Sequence, residues 1–166
     1  MAYRAFYALP AENFTTASGQ HTNAIYGFAT MLLSLLSSEK PTHVAVAFDV
    51  SRKTFRSEIF PEYKANRAKT PDEFRSQMSY LHELVSAFGI TQFEVEGYEA
   101  DDVIAYIATQ LKQENEKVII MSTDKDFLQL VNKDVSVYSP SKKKVYNIDE
   151  VKEEFGIHPH NFINFR

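Results

Sequence analysis

Two short apolar runs limit the folds open to this chain more than any other feature. THVAVAF, residues 42–48, and KVIIMS, residues 117–122, have strand length and read as buried strands. ITQFEV, 90–95, alternates apolar and polar residues and reads as a third strand. Segments of helical period lie between them. In TNAIYGFATMLLSLLSS, 22–38, Ile25, Phe28, Leu32, Leu35 and Leu36 recur at helical spacing. TPDEFRSQMSYLHELVSAFG, 70–89, carries its own punctuation: Thr70 as N-cap, Pro71 at the first helical position, Glu73 as capping-box partner and Gly89 as the stop. A helix from Glu99 to Asn115 has Val103, Ile104, Ile107 and Leu111 as core positions. Farther on, VSVYS and KVYNI flank SPSKK as a hairpin, a helix over 148–155 stops at Gly156, and HPHNF opens a last helix with Pro159 in its first turn. Helices alternating with short strands give an α/β fold with a mainly parallel central sheet flanked by helices.

A chain of 166 residues fits one domain with a real core. It has no cysteine, which excludes disulfide and thiolate chemistry and suits a reducing cytoplasm. Apolar runs such as MLLSLL are too short to span a membrane, and the N-terminus lacks a signal-peptide pattern. Net charge is -4, which by itself argues against a nucleic-acid partner. Its distribution argues the other way. Residues 51–70 hold six basic and two acidic residues, a balance of +4, whereas residues 93–126 hold three basic and nine acidic ones, a balance of -6. A basic segment can grip a polyanion while a cation-loaded acidic site works on it. A mixed solvated surface explains the same charges.

In open α/β sheets, ligands bind beyond the carboxyl ends of the strands. Asp49 lies just past the first strand, Glu99, Asp101 and Asp102 follow the strand at 90–95, and Asp124 and Asp126 follow the strand at 117–122. All fall at one edge of the inferred sheet. Helix capping explains each of them separately, since an acid in a first helical turn gains about 0.3–1 kcal/mol. It does not explain the set. Two like charges 4 Å apart repel by about 4 kcal/mol at an effective dielectric near 20, so a converged cluster needs either raised pKa values or a cation. Oxygen ligands without cysteine or histidine select Mg2+ or Mn2+ over Zn2+. The five histidines show no metal-ligand spacing, His158 and His160 flanking Pro159 at a helix start, and the scattered glycines form no phosphate loop.

FRSEIFPEYKANRAKTP, 55–71, mixes Arg56, Lys64, Arg67 and Lys69 with Phe55, Phe60 and Tyr63. Bases of this kind neutralise phosphates and aromatic faces stack on nucleobases. A solvated loop whose aromatics tuck into the core is the alternative, although about twenty irregular residues are uncommon in a compact domain unless they serve a function or move. AYRAFYALP, 2–10, reads as a partly buried amphipathic segment with Arg4 among aromatics.

AYRAFYALP, TNAIYGF, VAFDVSRKTFRSEIFPEYKANR, TPDEFR, EGYEADDVIA and STDKDFLQLV together resemble the 5'-nuclease domain of bacterial DNA polymerase I and its free-standing relatives, the PIN-like flap endonuclease family. The resemblance runs from residue 2 to the C-terminus. It implies a metal-dependent 5'-3' exonuclease or flap endonuclease hydrolysing DNA, or RNA primer on DNA, in replication and repair. The implied cofactors are two Mg2+ or Mn2+ ions, the implied partner a 5' flap or duplex end, and the implied state a cytoplasmic monomer.

The resemblance gives Asp49, Glu99, Asp101 and Asp102 as metal ligands, chiefly for a first ion, and Asp124 and Asp126 as ligands for a second. Lys64 is the implied arch lysine, catalytic together with Asp49, Asp101 and Asp102. Arg67 is its basic neighbour, Arg4 lies near the 5' phosphate, and Tyr63 stacks on a base or packs in the core. Family members also carry an apolar strand ending in Asp-Gly ahead of the stretch that starts here at Met1, and two more carboxylates and a helix-hairpin-helix beyond Arg166. On that ground the chain is expected to be a single nuclease domain trimmed at both ends. Two other readings stay open: a nucleic-acid-binding fragment without cleavage, and a PIN-type ribonuclease.

Overall fold

The computed structural model describes residues 1–51, 53–63, 69–113 and 116–165. The chain is α/β, as expected, and divides into two compact units, 1–100 and 101–166.

In residues 1–100, helix α1 (Ala2–Ala8) is followed by a short 3-10 turn (Ala11–Asn13) and by α2 (Asn23–Glu39). Strand β1 (Ala45–Ala47) and strand β2 (Thr91–Phe93) pair in parallel, with Val46 opposite Gln92. Between them run α3 (Phe55–Ile59), α4 (Asp72–Arg75) and α5 (Met78–Ala87), the kind of crossover that parallel pairing requires. Phe28, Leu32, Phe48, Leu81 and Val85 form the core, where α2 and α5 meet the end of β1.

Three expectations change here. The strand at 42–48 is shorter and less buried than its composition suggests: Ala45 is exposed, and Val46 and Ala47 are half-buried. Among the described residues β1 pairs with one strand, β2, where a central strand pairs with two. The helix at 70–89 breaks into α4 and α5, with Pro71 rather than Thr70 at the N-cap and no side-chain capping bond, so Glu73 completes no capping box. Its stop is as read, with Gly89 in the left-handed region at φ +68°. Residues 51–70 are not irregular throughout, since α3 occupies Phe55–Ile59.

In residues 101–166, α6 (Ala100–Gln113, its first residue belonging to the preceding unit) leads to strand β3 (Val118–Met121). A 3-10 turn (Lys125–Leu130), strands β4 (Val135–Ser139) and β5 (Lys144–Tyr146), helix α7 (Ile148–Phe155) and a last 3-10 turn (Pro159–Phe165) follow. β3 pairs with β4 in parallel, Ile120 opposite Val137, and β4 with β5 as the expected antiparallel hairpin, Val137 opposite Tyr146. The strands of the described residues therefore form two sheets, a parallel pair and a mixed sheet of three.

Ile120, Phe127, Leu128, Val131, Val137 and Val151 lie at the heart of this unit's core. Of the core positions read on α6, Val103 is buried, Ile104 and Ile107 are half-buried, and Leu111 is exposed. Among the described residues of α6, Val103 and Ala108 are the buried ones, Ile104 packs against the core beside Ala108, and Leu111 is the position that departs from the reading. α7 has the most complete caps. The Asn147 side chain accepts hydrogen bonds from the backbone N–H of Asp149 (2.8 Å) and Glu150 (3.1 Å), Glu150 returns a bond to the Asn147 N–H (3.3 Å), and Gly156 closes the helix at φ +69°. Asn147 is thus a helix cap, not the strand residue that KVYNI suggested. No helix among the described residues is long and apolar enough to cross a membrane.

Candidate metal and nucleic-acid site

The first carboxylate is placed by β1. Phe48, buried, extends the pairing with β2 by donating its N–H to the Phe93 carbonyl at 2.9 Å. Asp49 follows and is exposed. Its Oδ1 accepts the backbone N–H of Ala100 at 2.7 Å, at the residue where α6 begins. A carboxylate at a helix N-terminus satisfies an orphan donor and favours the dipole. The bond also sets Asp49 against the head of EADD: Glu99 precedes Ala100, and Asp101 and Asp102 are the next two residues of the helix.

The basic segment is fastened to the same stretch. Thr54 forms a parallel bridge with Gly97, and the Phe55 N–H donates to the Gly97 carbonyl at 2.9 Å. The Phe55 and Tyr98 rings lie 5.4 Å apart, and the Arg56 guanidinium sits 4.6 Å from the centre of the Phe55 ring. The Ser57 hydroxyl accepts the Thr54 N–H at 3.0 Å and holds the first turn of α3. At the other end, the half-buried Tyr63 reaches the Glu99 carboxylate with its hydroxyl at 3.5 Å, the outer limit of a hydrogen bond. Both ends of 54–63 therefore rest on residues 97–99. Gly97 is at φ +82°, a conformation that favours glycine, and this is how EGYE turns to meet both the bridge and the helix. Gly97, Tyr98 and Thr54 escaped the sequence reading because their part is long-range; the lone glycine in EGYE was the only local sign.

In residues 101–166, Asp124 caps the 3-10 turn at Lys125–Leu130, its Oδ1 accepting the Asp126 N–H at 2.9 Å. Its own N–H donates to the Ser122 hydroxyl at 3.0 Å. Capping is thus realised at Asp49 and Asp124. Asp124 is exposed and Asp126 half-buried. The donors, all carboxylates, suit a hard divalent ion, and Asp49 meets the start of EADD. Among the described residues, however, no three histidine, aspartate or glutamate side chains are drawn together tightly enough to hold one. His158 and His160 face each other across Pro159, Nδ1 to Nδ1 2.6 Å. Burial and then the neighbouring imidazole push His158 below its ordinary pKa.

Arg4 is exposed on α1 between Tyr3 and Tyr7, whose hydroxyls are 3.2 Å apart. The Tyr3 and Phe6 rings pack edge-on against Phe74, at 5.1 Å and 5.5 Å. Lys64 and Arg67, the expected arch cations, lie outside the described residues, as do Arg52 and Asn115.

Comparison with known proteins gives this geometry its context. The family of the 5'-3' exonuclease N-terminal, resolvase-like domain matches residues 1–156. The chain belongs to that family. DNA polymerase I of Mycobacterium tuberculosis is 50% identical over 169 residues, covering 99% of this chain and 19% of the polymerase. A 5'-3' exonuclease of Aquifex aeolicus is 45% identical over 157 residues, covering 95% of this chain and 54% of the exonuclease. The chain thus spans about a fifth of the first relative and about half of the second. Among solved structures, a bacteriophage T5 flap endonuclease in complex with DNA and metal ions superimposes with a TM-score of 0.72 at 25% identity, covering 92% of this chain and 60% of that one.

Proposed function

We propose that the chain is the phosphodiester-cleaving part of a divalent-metal-dependent 5'-3' exonuclease or flap endonuclease, acting on the 5' ends or flaps of DNA or of RNA primer on DNA. The observation that carries this reading is the bond from Asp49 to Ala100, which joins the end of β1 to the head of the acidic helix beside the anchored basic segment. Membership of the exonuclease family and the DNA and metal ions in the T5 complex support it.

In this reading Asp49, Glu99, Asp101 and Asp102 hold one Mg2+ or Mn2+ ion, and Asp124 and Asp126 hold a second. Bound there, such ions stabilise the charge that develops on the phosphate. The chain's own residues do the rest. Lys64 and Arg67 neutralise the scissile phosphate and fix its approach to the carboxylates. Tyr63, half-buried with its hydroxyl 3.5 Å from Glu99, stacks on a base. Arg4, exposed on α1, meets the 5' phosphate. The protein works as a monomer in the cytoplasm.

The test is a titration of Mg2+ and Mn2+ into the chain with a 5'-labelled flap duplex, with Asp101→Ala beside it. Cleavage that needs the ion and falls at least ~100-fold in the variant is expected, since removing one charge-stabilising group costs that order. Cleavage without divalent ions, or undiminished in Asp101→Ala, overturns the reading. One observation favours a second reading, binding without cleavage: no three ligands are drawn together among the described residues. It predicts salt-sensitive DNA binding and no product with either ion.

A further inference from the structure

α1 has seven residues, too few to hold a helical form by itself. Yet it presents Arg4, the residue assigned above to the 5' phosphate. What fixes the helix is a pair of buried amides. Asn23, 1% exposed, donates from Nδ2 to the Phe6 carbonyl at 2.7 Å and to the Leu9 carbonyl at 3.1 Å, two of the acceptors that the end of α1 leaves without helical partners. Its Oδ1 accepts from Nε2 of Gln77 at 2.9 Å. Gln77 is fully buried and gives its second proton to the Glu73 carbonyl at 3.0 Å. Its Oε1 accepts the N–H groups of Ala24 at 2.9 Å and Ile25 at 3.3 Å. Every hydrogen-bonding position of the Gln77 amide is used. One relay therefore ties the end of α1, the start of α2 and the junction of α4 and α5.

An apolar joint tolerates small slides and rotations; a buried directional network has one geometry. Such precision exceeds what holding two helices together requires, because Phe6, Phe74, Ala5 and Gly27 already pack there. It is what a guanidinium needs in order to meet a phosphate, since charge-assisted bonds weaken steeply when distance or angle is lost. We propose that Asn23 and Gln77 are positioning residues that fix α1 so that Arg4 discriminates a 5'-phosphorylated DNA end from a 5'-hydroxyl end. This rests on the reading of Arg4 given above.

The experiment measures binding of the 166-residue chain to a flap duplex carrying either a 5'-phosphate or a 5'-hydroxyl, with Ca2+ present, by fluorescence anisotropy. Wild type is expected to prefer the phosphate by about tenfold, the worth of one charge-assisted bond. Arg4→Ala should abolish that preference. Asn23→Leu should cut it about fivefold or more while leaving hydroxyl-end binding within about twofold, and should add almost nothing in the Arg4→Ala background. Gln77→Met, nearly isosteric, is the second variant and should behave likewise. Equal losses on both ends, a retained preference, or full additivity with Arg4→Ala would make the amides merely structural and overturn the proposal. Failure of both variants to fold overturns it in the same way. A preference that survives Arg4→Ala, or a wild type that binds neither end, brings down the underlying reading of Arg4 and the proposal with it.

Discussion

Residues 1–100 and residues 101–166 reach order by different means. The first unit has a small apolar core, half-exposed strands and helices held by a buried amide relay and by a close helix contact. The second has a larger continuous apolar core, a sheet of three strands and a helix capped at both ends. Apolar cores are forgiving of shape, whereas amide relays are not. The contrast is between a unit tied by directional bonds beside a small core and a unit held chiefly by apolar burial.

The largest effect that would test this contrast is expected in the second unit. Phe127 is 4% exposed in its core, so Phe127→Ala should lower stability by about 3–5 kcal/mol in urea unfolding. A loss under ~1 kcal/mol would show that this core is not what holds the unit.

A smaller effect, of unusual sign, is expected in the first unit. Gly27 lies within α2, where alanine normally favours the helix by about 1 kcal/mol. A Cβ there would stand 2.6 Å from the Ala5 Cβ, so α1 has to shift. Gly27→Ala should therefore destabilise, by about 1–2 kcal/mol from overpacking net of the propensity gain. A higher melting temperature would mean that α1 sits loosely, and the contrast would fail.

The smallest effect is electrostatic. Glu154 of α7 accepts from Lys142, from the Tyr146 hydroxyl at 2.8 Å and from Lys144 at 3.4 Å. The Lys142 bond first, and then the Tyr146 bond, hold its carboxyl at about 2, below the ordinary 4.5. A carboxyl depressed in the folded state stabilises above its ordinary value and loses that contribution as pH falls towards the folded one. The melting temperature should therefore decline between pH 5 and pH 2, and Glu154→Gln should flatten the decline. Parallel curves for the two proteins would remove the network from the second unit's account.

The sequence revealed whatever local periodicity and punctuation encode. α2 and α6 follow from apolar spacing, the hairpin from two strand-like runs around SPSKK, and the stops of α5 at Gly89 and of α7 at Gly156 from the left-handed conformation that glycine takes readily. The break between α4 and α5 was not legible, because Gln77 looks like any polar helix residue until its partners at 23–25 are known. Asn147 was misread for a related reason: its side chain serves the following helix although it ends an apolar strand. For the site, residue types and order gave the carboxylates, while the bond between Asp49 and the Ala100 N–H could not be read from them. The anchoring of 54–63 on 97–99 could not be read, since a bridge between Thr54 and Gly97 leaves no periodic trace.

Asp49 has a consequence for how such a sequence can drift. One lone pair of Oδ1 is committed to the Ala100 N–H, so anything else the side chain does falls to the lone pairs that remain on its two oxygens. Asparagine would keep the bond and discard the charge. Glutamate would keep the charge and carry it one methylene too far for the bond. No single substitution preserves both: selection on folding alone would admit asparagine, and only a demand for the charge as well leaves the position without neutral neighbours.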